Sequence, residues 1–265
     1  MKTFQLETTK RSGTQSIERA ILVLCELAKH GKFGIGLLEL AARCGIDHAT
    51  THRIAKCLVR TRMAQQRESN RNYLVGPLVF ELGLALPAHA EFQAACRPPL
   101  TRVAERFNAC AVLYLRSGVD WVCAARAGPS VYGGSILEVG TRRPLLSAVG
   151  GAAILMALAP AEAHAIVAQN KKQLKRLSDA SLLRLEKFVK RSASQGFAFA
   201  QGEVSKGVHT FGIPLCDEHE QPFGSLALAG SADEFPASRA RAVIEVLRAE
   251  AQTIASELQR VFLVR

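Results

Sequence analysis

The sequence predicts an α+β protein in two parts, a winged helix-turn-helix and a larger domain built on a mainly antiparallel sheet. Three observations predict it. Residues 37–58, LLELAARCGIDHATTHRIAKCL, read as two short helices joined at a glycine. The polar run ESNRN at 68–72 lies between short extended segments within 63–75, a β-hairpin pattern. Beyond about Phe92, strand-like runs such as CAVLYLR (110–116) and DWVCAARA (120–127) stand apart from helical segments grouped around them.

Taken in order, residues 1–14 read as a flexible arm. Ser16 can cap a first helix that runs to about His30, with Ile17, Ile21, Leu24 and Leu27 on its apolar side. Leu37, Leu38, Leu40 and Ala41 give the next helix an apolar face at helical spacing. Gly45 supplies the permissive backbone of a helix C-terminus, and Asp47 is a good N-cap for the helix that follows. That helix can bury Thr51, Ile54, Ala55 and Leu58 while presenting His52, Arg53, Lys56 and Arg60. With the hairpin, these elements make a winged helix over 15–76. A leucine-rich linker helix occupies 77–91, ending or kinking at Pro87, and is expected to share its apolar surface between packing on the winged helix and a dimer seam.

The second domain covers 92–265. Helices are expected at 97–107, 152–159, 160–168, 178–194 and 236–261. Strands are expected at 110–116, 120–127, within 131–139, and at 197–201, 208–215 and 223–229. Residues 141–146 lead to the glycine pair at 150 and 151.

A net charge of +11 is unevenly spread: residues 1–76 hold 13 Lys/Arg against 6 Asp/Glu, the remainder 21 against 17. The excess in the first part points to a polyanionic partner. With 48% apolar and 22% charged residues, the chain has an ordinary globular composition. The seven cysteines form no C-x-x-C pair, and Cys25, Cys44 and Cys57 read as small buried hydrophobes. A reduced, cytoplasmic compartment fits this usage. The polar N-terminus shows no secretory signal, and the most apolar segment, 148–161, is too short and too glycine-broken to span a bilayer. No metal or cofactor is expected. No nucleophile elbow, P-loop, H-E-x-x-H or dinucleotide fingerprint occurs, so catalysis is not expected. Cys216–His219 reads as a polar hairpin turn.

From Ser16 to the last helix, the order and spacing of several segments resemble the IclR family of bacterial transcriptional regulators. SIERAILVLCELA resembles the family's first helix, LLELAARCGIDHATTHRIAKCLVR its recognition unit, and YLVGPLVFELG its last wing strand and linker helix. VGTRRPLLSAVGGAAIL resembles the effector domain's glycine-rich turn and helix. QGFAFAQGEVSKGVHTFGIPLCDEHEQPFGSLALAG resembles its last strands, including Gly202, Glu203, Gly207 and Val208. The resemblance implies a GAF-like effector-binding domain behind a winged helix, and a homodimer or homotetramer binding palindromic double-stranded operator DNA. The chain also departs from the family. Ala49 stands where the family often has Ser, and Ala152 where Lys or Arg commonly follows the glycines. Ala200-Gln201, Ala227 and Ala229 stand where acidic or small polar residues hold small oxo-acids in some members. These departures argue against a small oxo-acid effector.

Two sets of site residues follow. In the first domain, Arg53 can bond guanine O6 and N7 together, and His48, Thr50 and His52 lie near the recognition helix N-terminus. Lys56, Arg60, Arg67 and Arg71 suit phosphates. In the second, Ser147, Gly150 and Gly151 precede a helix whose free amides favour an anion, or the glycines simply permit tight helix–sheet packing. Leu113, Leu115, Leu137 and Ala227, with Trp121 as a weaker candidate, can form an apolar wall, and His209 and Thr210 can offer hydrogen bonds. Such a pocket suits an organic, aromatic or otherwise bulky carboxylate. The function expected is ligand-responsive regulation, by repression or activation, of a catabolic or transport operon. Alternatives are a small-molecule sensor acting through a protein partner and a GAF-fold enzyme.

Overall fold

The computed structural model describes residues 13–85, 88–129, 131–132, 135–174, 177–203 and 206–263. The proposed arm and Pro87 fall outside these residues or at their margin. The chain divides into two compact units, 1–89 and 90–265.

In the first unit, α1 (Gln15–Lys29) starts after Thr14, one residue ahead of Ser16. Its buried line is Val23, Glu26 and Leu27; Ile17, expected on the apolar side, is 61% exposed, and Ile21 is exposed as well. α2 (Leu37–Cys44) ends at Gly45, whose φ of +63° is the left-handed conformation that glycine adopts without strain. Leu40 and Ala41 are buried, but Leu38 stands 75% exposed because it lies nearly opposite Leu40 around the helix. α3 (His48–Arg60) is capped as expected: Asp47 Oδ1 accepts the Thr50 amide at 2.8 Å. Strands β1 (Ala64–Gln66) and β2 (Tyr73–Val75) form the antiparallel wing, and Ile35 bridges Tyr73 as a short third member. Val23, Leu27, Ile35, Leu40, Ala55, Leu58, Ala64 and Tyr73 make the core. Helix α4 (Pro77–Leu84) follows, with Pro77 in its first turn, where the missing N–H costs nothing. Cys25 and Cys57 are exposed and Cys44 half-buried, so the expectation of three buried thiols fails. Cys44 packs at the edge of the core, whereas Cys25 and Cys57 lie off the apolar faces of their helices.

The second unit begins within α5 (Ala88–Phe107), which starts well ahead of residue 97 and carries Pro98 and Pro99 inside it. Consecutive prolines forgo amide bonds and crowd the preceding turn, which is why the sequence reads as a helix opening there. The principal sheet has the order β7-β4-β3-β10-β9-β8 and is antiparallel throughout. Its strands are β3 (Cys110–Ser117), β4 (Asp120–Ala127), β7 (Arg142–Pro144), β8 (Ala198–Gln201), β9 (Val208–Cys216) and β10 (Pro222–Ser231). The expected strand within 131–139 is instead a separate small hairpin, β5 (Val131–Tyr132) with β6 (Ser135–Ile136). The helices are α6 (Val149–Ala157), α7 (Pro160–Gln173), α8 (Asp179–Gln195) and α9 (Ala240–Leu263). The 217–221 segment is the polar turn between β9 and β10.

Strand alternation sorts side chains to two helical layers. Ala111, Leu113, Phe211, Ile213, Leu226 and Leu228 meet α5 and α9. Cys110, Val112, Tyr114, Trp121, Cys123 and Ala227 meet α6 and α7. Near β8, Ala198 and Ala200 pack on Val149, Ala152 and Ala153 of α6 and Phe188 of α8. Both faces are therefore apolar, which a one-sided alternation cannot reveal.

Candidate functional site

The first unit presents α3 with one side in the core, through Thr51, Ala55 and Leu58, and the other in solvent. Thr51 locks the buried side further, its hydroxyl donating to Asp47 O at 2.9 Å. On the outer side, His48, Arg53, Lys56 and Arg60 are exposed, while His52 and Thr50 are partly buried. Arg53 Nη2 lies 3.3 Å from Thr50 Oγ1, so the hydroxyl steadies the guanidinium from the preceding turn. Ala49 is exposed in the same first turn, without a hydroxyl to offer. A helix so arranged can lie in a major groove with its first two turns toward base edges.

The hairpin is used differently from the expectation. Arg67 donates to the carbonyls of Lys32 and, at 3.3 Å, Phe33. It thus clasps the wing to the turn between α1 and α2, and is not the free phosphate contact its charge suggests. Arg71 is exposed and takes φ +59° in the hairpin turn. Arg62, which sequence reasoning passes over, pairs with Glu81 and ties the end of α3 to α4.

In the second unit the expected residues separate. Leu113 and Leu115 pack toward α5 and α9. His209 faces the same way: its Nδ1 bonds Phe235 O at 2.7 Å and its ring meets Phe199 edge-on. These three therefore leave the expected pocket, because alternation sends them through the sheet. Leu137, Ala227 and Trp121 lie on the α6 side. Thr210 shares that side with Gly212, where an added Cβ would lie 3.0 Å from Val149.

The α6 N-terminus is built tightly. Its first bonded amide is that of Ala152, leaving those of Val149, Gly150 and Gly151 as the ones a helix does not pair internally. Gly150 abuts the Tyr114 ring, which a Cβ would overlap, and Gly151 abuts the Leu145 backbone. Both glycines thus serve close packing. The Ser147 hydroxyl donates to Pro144 O at 2.6 Å and faces Trp121 Nε1 at 3.3 Å, so it is already occupied. Buried Asn170 holds the preceding turn, accepting from Leu146 N at 2.9 Å and donating to Val119 O at 3.0 Å. Ser225 donates to Gly150 O at 2.9 Å. Ala152 is fully buried, so no cation could extend from it without unpacking α6.

Register carries the α6 side of the sheet across the strands: Cys110 lies opposite Ala229, Ala229 opposite Thr210, and Thr210 opposite Ala200. One row along, Arg126, Val112, Ala227 and Gly212 succeed one another. The middle of this face is thus made of small side chains. Thr210 Oγ1 is buried there without a hydrogen-bond partner among the described residues. Arg126, missed from the sequence because it sits within an apolar strand, donates to Leu137 O at 3.0 Å and Gly128 O at 2.9 Å. Burial pushes the Cys123 thiol up to about 12, and it raises that of Cys110 as well, so both remain thiols.

No group of metal-binding side chains occurs among the described residues, and none of their helices is long and apolar enough to cross a membrane. Residues 16–68 match the IclR helix-turn-helix domain, and residues 87–256 match the C-terminal domain of the bacterial transcriptional regulator IclR. The acetate operon repressor of Salmonella typhimurium is 22% identical over 82% of this chain and 80% of its own length. A putative IclR regulator from a Silicibacter species has a TM-score of 0.74 at 21% identity, over 93% of this chain and 96% of that one. An IclR homologue of Microbacterium hydrocarbonoxydans, solved with 4-hydroxybenzoate, gives 0.65 at 15% identity, over 93% and 100%. With an exposed cationic helix on a winged frame in its first unit and an antiparallel sheet between helical layers in its second, the chain belongs to the IclR family of bacterial transcriptional regulators and is not an enzyme.

Proposed function

We propose that this regulator reads a palindromic operator through α3 as a homo-oligomer, and that an organic acid with an apolar body binds the α6 side of its second unit. The observation that carries the first half is the outer side of α3, where Arg53, Lys56 and Arg60 stand exposed on a helix fixed by Thr51, Ala55 and Leu58. Arg53 is the base reader, with His48, Thr50 and His52 around it; Lys56, Arg60 and Arg71 neutralise phosphates. Exposed Phe80, Leu82 and Leu84 on α4 supply apolar surface for a second copy.

A salt-titrated mobility shift on the DNA upstream of its own coding region tests this half. Arg53→Ala is expected to lose about 1–3 kcal/mol on the selected operator and to relax preference at one base position. Lys56→Ala is expected to weaken all sequences alike and flatten the salt slope by about one unit per protomer. If the chain shifts no DNA selectively with or without ligand, it acts instead as a sensor for a protein partner.

The effector half is supported by the unpartnered Thr210 hydroxyl on a face of small residues, on the side of the sheet that also carries Leu137 and Trp121. A buried hydroxyl without a partner costs about 1–3 kcal/mol, which a ligand's polar group can recover. Ala227 and Ala229 offer methyl surface rather than hydrogen bonds for a small acid. Aromatic monocarboxylates, the class of the Microbacterium homologue's ligand, fit this description and suggest a catabolic operon. Thr210→Val is expected to raise the stability of the ligand-free protein by about 1 kcal/mol and to weaken the effector. Urea titration and calorimetry with a panel of aromatic and small carboxylates read the two signs separately. Binding confined to small polar acids would overturn the assignment.

A further inference from the structure

Phe33, in the short turn between α1 and α2, is 72% exposed although its backbone is firmly held. Its amide donates to His30 O at 3.1 Å, and its carbonyl accepts from Arg67 Nη1 at 3.3 Å and Asn72 Nδ2 at 3.2 Å. Gly34 follows with φ +67°, pressed so closely to the hairpin that a Cβ would lie 2.7 Å from Tyr73 O. Ile35 then exchanges both backbone hydrogen bonds with Tyr73, at 3.0 and 2.9 Å. The turn and the wing therefore form one rigid tip. The ring contributes nothing to the core, and order in the turn does not depend on it.

Around that ring the tip is cationic. Lys32 Nζ lies 5.6 Å from the ring centroid, Arg67 clasps the same turn, and Arg71 stands exposed in the adjoining hairpin; Glu68 is the acid between them. An apolar partner protein would have to accept these charges beside a lone ring. A DNA minor groove accepts both: its deoxyribose walls and the base faces at an opened step offer apolar contact, and phosphates line its rims.

We propose that Phe33 is a DNA contact, a wedge that the wing tip presses against the sugars and base edges of the minor groove flanking the α3 half-site. Lys32 and Arg71 lie on the phosphates at either rim. The inference rests on the reading that α3 occupies the neighbouring major groove. It adds an apolar contact that neither the helix-turn-helix pattern nor the charge distribution signals.

The test uses the full chain and an operator selected from random duplexes. Phe33→Ala is expected to bind roughly tenfold more weakly, with the slope of affinity against salt unchanged, because a ring releases no counterions. Phe33→Leu is expected to recover most of the loss. Hydroxyl-radical footprinting is expected to show new cleavage for Phe33→Ala in the minor groove beside the half-site, with wild-type melting temperature confirming an intact fold. Equal affinity and footprint for Phe33→Ala overturn the wedge, as does a change of salt slope matching that of Lys32→Gln. If the wild-type protein itself selects no operator, the α3 reading falls and the wedge with it; loss confined to the variant's prediction removes the wedge alone.

Discussion

Gly151→Ala is expected to destabilise the second unit by about 3 kcal/mol or more, although alanine normally improves a helix by about 1 kcal/mol over glycine. The sign reverses because the new methyl would overlap the Leu145 carbonyl, with the Leu145 Cα at 2.8 Å. That neighbour cannot retreat. Leu145 and Leu146 are fully buried, and Asn170 pins the turn through the Leu146 amide. Gly150→Ala meets the Tyr114 ring instead, which also packs edge-on with Trp121, their centroids 4.9 Å apart. Trp121 is the chain's single tryptophan and lies in this cluster, so its fluorescence during urea unfolding reads the effect locally. The midpoint is expected to fall clearly for both variants. Gly83→Ala in α4, with nothing within 4 Å of the added methyl, is expected to leave the Trp121 transition unmoved. A wild-type midpoint for Gly151→Ala would mean that α6 is not seated on the Leu145 turn. Because the comparison is made without ligand, it separates the packing role of these glycines from any role in holding an anion.

What the sequence shows and hides has a physical pattern. The α2–α3 unit is legible because its signals are local: Gly45 at φ +63° and Asp47 bonded to the Thr50 amide act within one turn of their own position. Strand β4 is legible as Asp120–Ala127 for the same reason, since its composition and its ends lie in one short run. The sides of the sheet are not. Cys110, Val112 and Tyr114 meet one helical layer and Ala111, Leu113 and Leu115 the other, and both sets are apolar. Only the tertiary fold assigns Leu113, Leu115 and His209 to the side away from Thr210. Arg67 is hidden for a related reason: its charge suggests phosphate, and carbonyls 34 and 35 residues away in sequence claim it. Phe33 carries no signal at all until its exposure is seen.

Glu26 is the clearest case of a residue that periodicity misreads, and replacing it with Gln is expected to weaken the first unit by about 2 kcal/mol or more. It lies on the buried line of α1, 6% exposed, between Val23 and Leu27. Lys29 Nζ lies 3.1 Å away, His30 Nε2 3.4 Å, and Arg43 Nη1 from the last turn of α2 3.7 Å. Arg43 also holds Glu39 at 2.8 Å, so one carboxylate links α1 to the helix-turn-helix. Burial alone would raise the Glu26 pKa; the His30 hydrogen bond and the Lys29 charge and hydrogen bond outweigh it and hold the group at about 2, against an ordinary 4.5. The half-buried Cys44 thiol beside it is pushed up to about 12, first by burial and then by the Glu26 charge. Because the folded carboxyl is the stronger acid, the unfolded chain takes up the proton first as pH falls. The stabilisation is complete above about pH 4.5 and is lost as pH drops toward 2, a change of about 3 kcal/mol. In Glu26→Gln that contribution is absent at every pH. The stability difference between wild type and variant, from far-UV circular dichroism melts, is therefore expected to be largest near neutrality and to shrink between pH 4.5 and 2. Other carboxyls titrate in both proteins and cancel in the difference. A difference that stays constant over this range would show that Glu26 acts through packing rather than charge, and that α1 and α2 are joined by their apolar core alone.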